Sequence, residues 1–199
     1  MTATARRTRL SSEREAELYR AVIDLVRELG YEAMTMDAVA ARSRSSKATL
    51  YRQWQGKPQL VAAAMRHNRP MTTEDVDSGT LRGDLHQLAR EIGSAAEQDT
   101  VFMSAVSHAA HSSPDLAAAL REMLVEPELA KLDRMLARAV QRGEVRADVA
   151  GAEFFAHLLL GAVLSRKMLE DRFADADYLT RYVDAVVLPA LGAVAPADH

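Results

Sequence analysis

The stretch from Thr35 to Leu60 constrains this chain more than any other part of it. Met36, Val39 and Ala40 fall at i, i+3 and i+4, one apolar stripe of a short helix ending near Arg42. Thr35 can cap that helix through its hydroxyl, and Asp37 in the first turn suits the helix dipole. The polar run Ser43-Arg44-Ser45-Ser46 breaks the apolar pattern and offers a new N-cap. A second short helix follows, with Leu50 and Trp54 facing inward and Lys47, Ala48, Tyr51 and Arg52 on other faces. Two such helices form a helix-turn-helix. A small residue among donors, at the start of the second helix, suits approach to a phosphate backbone and to base edges in a major groove. The same periodicity also fits an ordinary helical hairpin with a solvated polar face.

Thr35, Val39-Ala40, Ser46-Lys47-Ala48-Thr49-Leu50-Tyr51, the aromatic Trp54, Lys57 and Leu60 occur at fixed spacing without gaps. Together they resemble the DNA-binding domain of the TetR family of bacterial transcriptional regulators, across residues 12 to 67. The resemblance implies an all-α chain. A three-helix helix-turn-helix DNA-binding domain would be joined to a larger helical ligand-binding and dimerisation domain, with about nine helices in all. The chain departs from the family in its turn, where Ser43-Arg44-Ser45 replaces the frequent Ala-Gly-Val. Either the turn needs no positive φ, or Arg44 is mildly strained. Gln53 stands where the family often has His or Tyr, and Trp54 where it usually has Phe. Lys47, Ala48 and Thr49 are the expected base-edge contacts. Thr35, Tyr51, Gln53 and Lys57 are placed for phosphates, and Ser45 and Ser46 lie in the turn beside them. Arg44 and Arg52 either touch a phosphate or lie in solvent.

Charge is divided in the way such a reading requires. The net charge is −3, yet residues 1 to 69 hold 13 Lys or Arg against 7 Asp or Glu, and the remainder holds 12 against 21. A basic front and an acidic back fit a DNA-binding head on a body with another task. There is no Cys, which excludes disulfides and thiolate chemistry and fits a reducing cytoplasm. Arg6, Arg7 and Arg9 precede no apolar segment, so no signal peptide is expected. The apolar run from Phe154 to Leu164 is interrupted by His157 and is too short to span a bilayer, so no membrane partner is expected.

The expected domains are a basic flexible arm (1–11), a helix-turn-helix domain with a linking fourth helix (12–68), an effector-binding and dimerisation domain (80–192) and a tail (193–199). Ser12-Glu13-Arg14-Glu15 fits a capping box for the first helix. Leu18, Ala21, Val22, Leu25, Val26 and Leu29 form its stripe, and Gly30 ends it. Pro58 suits the start of the fourth helix, which runs through Leu60, Val61, Ala64 and Met65 to Asn68 before Arg69-Pro70. Met71 to Thr80 reads as a polar, acidic linker. Body helices are expected over Leu81–Gln98, Thr100–His111 and Pro114–Arg142, the last broken near Glu126 by Pro127 and stopped by Gly143. Asp148 is the expected cap of a helix reaching Leu169, and Asp175 or Asp177 the start of the final one.

The last two helices are apolar on more than one side, which points to burial by more than their own chain. The expected homodimer interface is Phe155, Leu158, Leu159, Ala162, Tyr182, Val183 and Val186, the alternative being that these form an internal core. Candidate ligand contacts are Phe102, Met103, His108, Met123, Met135, His157 and Met168, because Met and Phe line adaptable pockets and His supplies polar anchors. His108 and His111, and Glu153 and His157, have metal-compatible spacings, but without Cys or a third clear ligand no metal site is expected. No phosphate loop, nucleophile elbow or His-Glu-x-x-His motif occurs, so neither catalysis nor a cofactor is expected. The resulting expectation is a homodimeric repressor, released from a pseudo-palindromic double-stranded operator by a small, mainly apolar effector. Two rivals stay open: a constitutive DNA-binding protein, and a small all-α enzyme.

Overall fold

The computed structural model describes residues 11–68, 76–94 and 96–193, and among them all regular structure is helical. In chain order the helices are α1 (Ser12–Ala33), α2 (Met36–Arg42), α3 (Lys47–Trp54), α4 (Lys57–His67), α5 (Leu81–Ser94) and α6 (Ala96–Ser112). They continue with α7 (Pro114–Leu120), α8 (Glu126–Gln141), α9 (Phe155–Glu170), α10 (Ala176–Tyr182) and α11 (Leu188–Ala190). Arg69-Pro70 and the expected arm at residues 1–10 lie outside the described residues, as do 71–75 of the linker and most of the tail. The chain divides into two compact units, one built on α1–α4 with residues 105–124, the other on α5, the start of α6 and residues from 125 onward.

In the first unit α1 starts one residue earlier than its apparent capping box, because Ser11 accepts the Arg14 amide at 3.4 Å. Leu18, Val22, Leu25 and Val26 are buried along its stripe, but Leu29 is 50 % exposed. Directly after it Gly30, with a φ of 79°, bends the chain, and beyond the bend Tyr31 and Met34 enter the core. Every residue from Leu60 to Met65 is buried, wider than the stripe that periodicity gave α4. Helix α1 covers one side of α4 and α7 covers another, which the sequence boundary at residue 68 did not anticipate. Ser113 caps α7, accepting from the Leu116 amide at 3.4 Å.

The second unit closes its core around Leu81, Leu85, Met135, Phe155, Leu179, Val183 and Leu191. Gly93 lies so close to α10 that a Cβ would come within 2.2 Å of the Ala176 amide nitrogen, an approach open only to glycine. Helix α5 is described as far as Ser94, whose hydroxyl donates to the Glu91 carbonyl at 2.8 Å. Pro127 does break the expected long helix. The five residues before α8, Arg121–Val125, form a π turn, since a proline without N–H cannot bond back to the preceding turn. A second π turn, Val183–Val187, precedes Pro189 in the same way. Asp148 is not the expected cap. It makes a paired contact with Arg146 at 2.8 and 3.0 Å, which holds its carboxyl below the usual range, and a 3-10 turn at Ala150–Phe154 leads into α9 instead. Asp175 caps α10, accepting from the Tyr178 amide at 2.8 Å.

Residues 76–80, expected as a solvated linker, are gripped. Asp84 on α5 is fully buried, and its Oδ1 accepts from the Ser78 amide at 2.6 Å and the Ser78 hydroxyl at 2.7 Å. Arg138 of α8 and Arg142 at its C-terminal cap face the same carboxylate at 3.7 and 3.9 Å, and Arg138 donates to the Val76 carbonyl at 2.7 Å. Glu144 accepts from the Leu81 amide at 2.6 Å, closing the start of α5 against the end of α8.

Candidate nucleic-acid interface

The turn of the motif is built from hydroxyls. Thr35 caps α2, accepting from the Ala38 amide at 3.1 Å, and Ser46 caps α3, accepting from the Thr49 amide at 3.1 Å. The Ser46 and Thr49 hydroxyls also meet at 2.8 Å. Ser43 is buried and donates to the Val39 carbonyl at 2.7 Å, while Ser45 donates to the Ser43 carbonyl at 3.4 Å. Of the two ways to make this turn without glycine, the chain takes the strained one: Arg44 has a φ of 51°. Arg14 of α1 lies against the strained peptide, its guanidinium 3.5 Å from the Ser43 carbonyl oxygen and 3.4 Å from that of Arg44. A non-glycine residue in this region costs on the order of 1 kcal/mol. Arg44→Gly is therefore expected to stabilise the first unit by roughly 0.5 kcal/mol in urea unfolding, part of the gain being offset by unfolded-chain entropy. A drop in stability would show that Arg44 is not strained.

Helix α3 is anchored from behind. Leu50 and Trp54 are buried, and the indole donates to the Tyr19 hydroxyl at 3.2 Å, which donates on to Glu15 at 2.8 Å. Burial, then the Glu15 hydrogen bond, pushes the Tyr19 phenol up to about 12. This polar anchor was not visible in the sequence, because its partners are 35 residues apart. The front of α3 presents Lys47, Ala48, Tyr51 and Arg52, all exposed, with Thr49 half-buried at the edge; Arg44 is exposed in the turn.

Two residues expected to face phosphates are held against α1. The Gln53 amide donates to Glu15 at 3.4 Å. Lys57 lies 4.2 Å over the Tyr31 ring and donates to the Glu32 carbonyl at 3.2 Å, and burial lowers its pKa. Lys47 is paired as well, its ammonium 2.8 Å from Asp37 at the start of α2. That hydrogen bond raises the Lys47 pKa. Spacing alone gave Asp37 only a helix-dipole role; its partnership with Lys47 needs the crossing of α2 and α3.

The candidate ligand contacts are divided between the two units. His108 and Met123 belong to the first unit, whereas Phe102, Met103, Met135, His157 and Met168 belong to the second. Phe102 and Met135 are buried and Met103 and Met123 half-buried, but His108 and His157 are exposed and Met168 is 81 % exposed. A cavity of about 20 Å³ within the second unit is lined instead by Leu85, Leu88, Ala89, Ile92, Leu159, Val163, Leu179, Tyr182 and Val183.

The expected dimer residues differ in burial. Phe155, Ala162 and Val183 are buried in the core of their own unit, and Leu158, Leu159 and Tyr182 are partly buried against it. These six therefore pack wholly or in part on their own unit, while Val186 is 37 % exposed. Apolar surface on α9 and the turn before it comes instead from Phe154, Leu160, Met168 and Leu169, exposed by 54, 51, 81 and 74 %. Helix α9 is apolar on nearly every side, so periodicity could not choose between its faces. Among the described residues no helix is long and apolar enough to cross a membrane.

Residues 18–64 match the model of bacterial regulatory proteins of the tetR family, and residues 75–186 match that of the tetracyclin repressor-like C-terminal domain. An uncharacterized HTH-type transcriptional regulator of Mycobacterium tuberculosis is 35 % identical over 90 % of this chain and 89 % of its own. The DNA-binding transcriptional repressor TetR of Mycobacteroides abscessus is 32 % identical over 88 % of this chain and 92 % of its own. The crystal structure of a TetR family transcription regulator shares 28 % identity with a TM-score of 0.70, covering 93 % of this chain and 100 % of that one. Fold, motif and relatives define a helix-turn-helix transcriptional regulator rather than an enzyme. The chain belongs to the TetR family.

Proposed function

We propose that this regulator is a homodimeric repressor that binds a pseudo-palindromic operator through α3 and is released by a small, mainly apolar molecule. The observation that carries the DNA-binding half is the exposed front of α3, a short helix locked from behind by Trp54 and capped by Ser46. Lys47, Ala48 and Thr49 in its first turns reach base edges. Tyr51 and Thr35 meet phosphates, as does Lys57 once it leaves the Glu32 carbonyl. Exposed apolar residues on α9 support pairing with a second copy, and the half-sites then lie about 34–36 Å apart or at a multiple of that. An effector acts by favouring a dimer with the wrong head spacing, and its differential affinity for the two states sets the size of the response.

The cavity at Leu85, Ile92 and Val163 has the apolar lining that such an effector needs. Its 20 Å³ is room for about one water, so in this reading the effector selects a more open conformer. The alternative is constitutive DNA binding without an effector. Selecting an operator from random duplexes and titrating it with apolar compounds separates the two, since only the first reading allows release.

The roles on α3 are tested by substitution. Lys47→Ala should relax preference at one or two base pairs, each base-edge interaction being worth about 1–3 kcal/mol of discrimination. Lys57→Ala should weaken selected and scrambled duplexes alike and reduce the salt slope by about one. If Lys47→Ala instead weakens both duplexes equally while Lys57→Ala alters sequence preference, the roles are reversed.

A further inference from the structure

The Lys47–Asp37 pair ties the first turn of α3 to the first turn of α2. The ammonium is 2.8 Å from one carboxylate oxygen and 3.0 Å from the other, so both share one cation. The two side chains are 52 and 71 % exposed, and a pair so wet adds little to stability. Its location matters more. In this motif the first helix crosses the phosphate backbone while the second enters the groove. An acid at the start of α2 is therefore carried toward a polyanion, where it opposes binding unless a cation neutralises it.

We infer that Asp37 is a specificity-determining residue: it withholds Lys47 from phosphates and aims it at a base edge. The inference rests on α3 being the groove helix. A phosphate offers Lys47 only an exchange of one anionic partner for another. That exchange leaves Asp37 uncompensated beside the backbone, so on arbitrary DNA the lysine stays home and releases no counterion. A lysine has three N–H donors. Facing a guanine, it can keep one on Asp37 and turn the others toward the O6 and N7 acceptors. Asp37 thus lowers affinity for DNA in general while leaving the operator contact intact.

The test titrates full-length wild type and Asp37→Asn against the selected operator and a scrambled duplex of equal composition, at several salt concentrations. Freed from Asp37, Lys47 gains a phosphate. Scrambled DNA should then bind about eightfold tighter per head near 0.1 M salt, with a slope steeper by about one. Operator affinity should change less, so the ratio of the two falls. Asp37→Glu should restore the ratio, and adding Lys47→Gln to Asp37→Asn should abolish the gain on scrambled DNA. Asp37→Ser, which keeps a good helix-start residue, should repeat the shift should Asn disturb α2. An unchanged slope, or equal shifts on both duplexes, overturns the role of Asp37. Undiminished sequence preference in Lys47→Ala overturns instead the groove assignment of α3, and the inference with it.

Discussion

Leu160→Asp should leave each chain folded, convert the protein to monomers and reduce operator affinity by roughly 10²–10⁴-fold. Leu160 is 51 % exposed on α9, so a charge there costs the isolated chain little. Across a two-fold axis the same substitution places two carboxylates in an apolar interface, where unpaired charges are expensive. In the proposed dimer two heads bind their half-sites together, which separated heads cannot do, so the affinity should fall. Val183→Asp is the contrasting variant. Val183 is 2 % exposed inside the second unit, so its charge should unfold that unit rather than separate two folded chains. Sedimentation settles the matter: an intact dimer of Leu160→Asp removes this face of α9 from the interface.

Asp84→Ala should destabilise the second unit by about 3–5 kcal/mol, the cost of removing one partner from a buried charged network. The substitution strands the Ser78 amide and hydroxyl, and takes a counter-charge from Arg138 and Arg142. Asp84→Asn retains an acceptor for Ser78 and should lose less. With two compact units the unfolding need not be a single step, so hydrogen exchange in α5 and α8 is a better readout than one melting curve. Unchanged protection there in Asp84→Ala would show that the grip on residues 76–80 contributes nothing.

Much of the architecture was legible because it is local. Thr35, Ser46, Ser113 and Asp175 each cap a helix through an amide three residues ahead, a spacing that can be read directly. The break at Pro127 was legible for the same reason. What could not be read depends on which helices cross. Lys47 meets Asp37, Gln53 meets Glu15 and Lys57 meets the Glu32 carbonyl over separations of 10 to 38 residues, and each pairing redirects a side chain assigned to DNA. The faces of α9 were illegible in another way. With Phe154, Phe155, Leu158, Leu159 and Leu160 in near-continuous series, the composition exceeds what one core can absorb, but no period marks the surplus.

The two π turns bear on how such a chain can change length. A single-residue deletion in a helix ordinarily rotates everything beyond it by about 100° and turns the buried face to solvent. A π turn is an α-helix carrying one residue too many, accommodated as a bulge. Removing one residue from Arg121–Val125 or Val183–Val187 therefore returns the flanking turns to α-helical register without changing which faces they present. These ten positions are where the helices can tolerate a codon's loss, and where homologues one residue shorter are expected to keep the same fold.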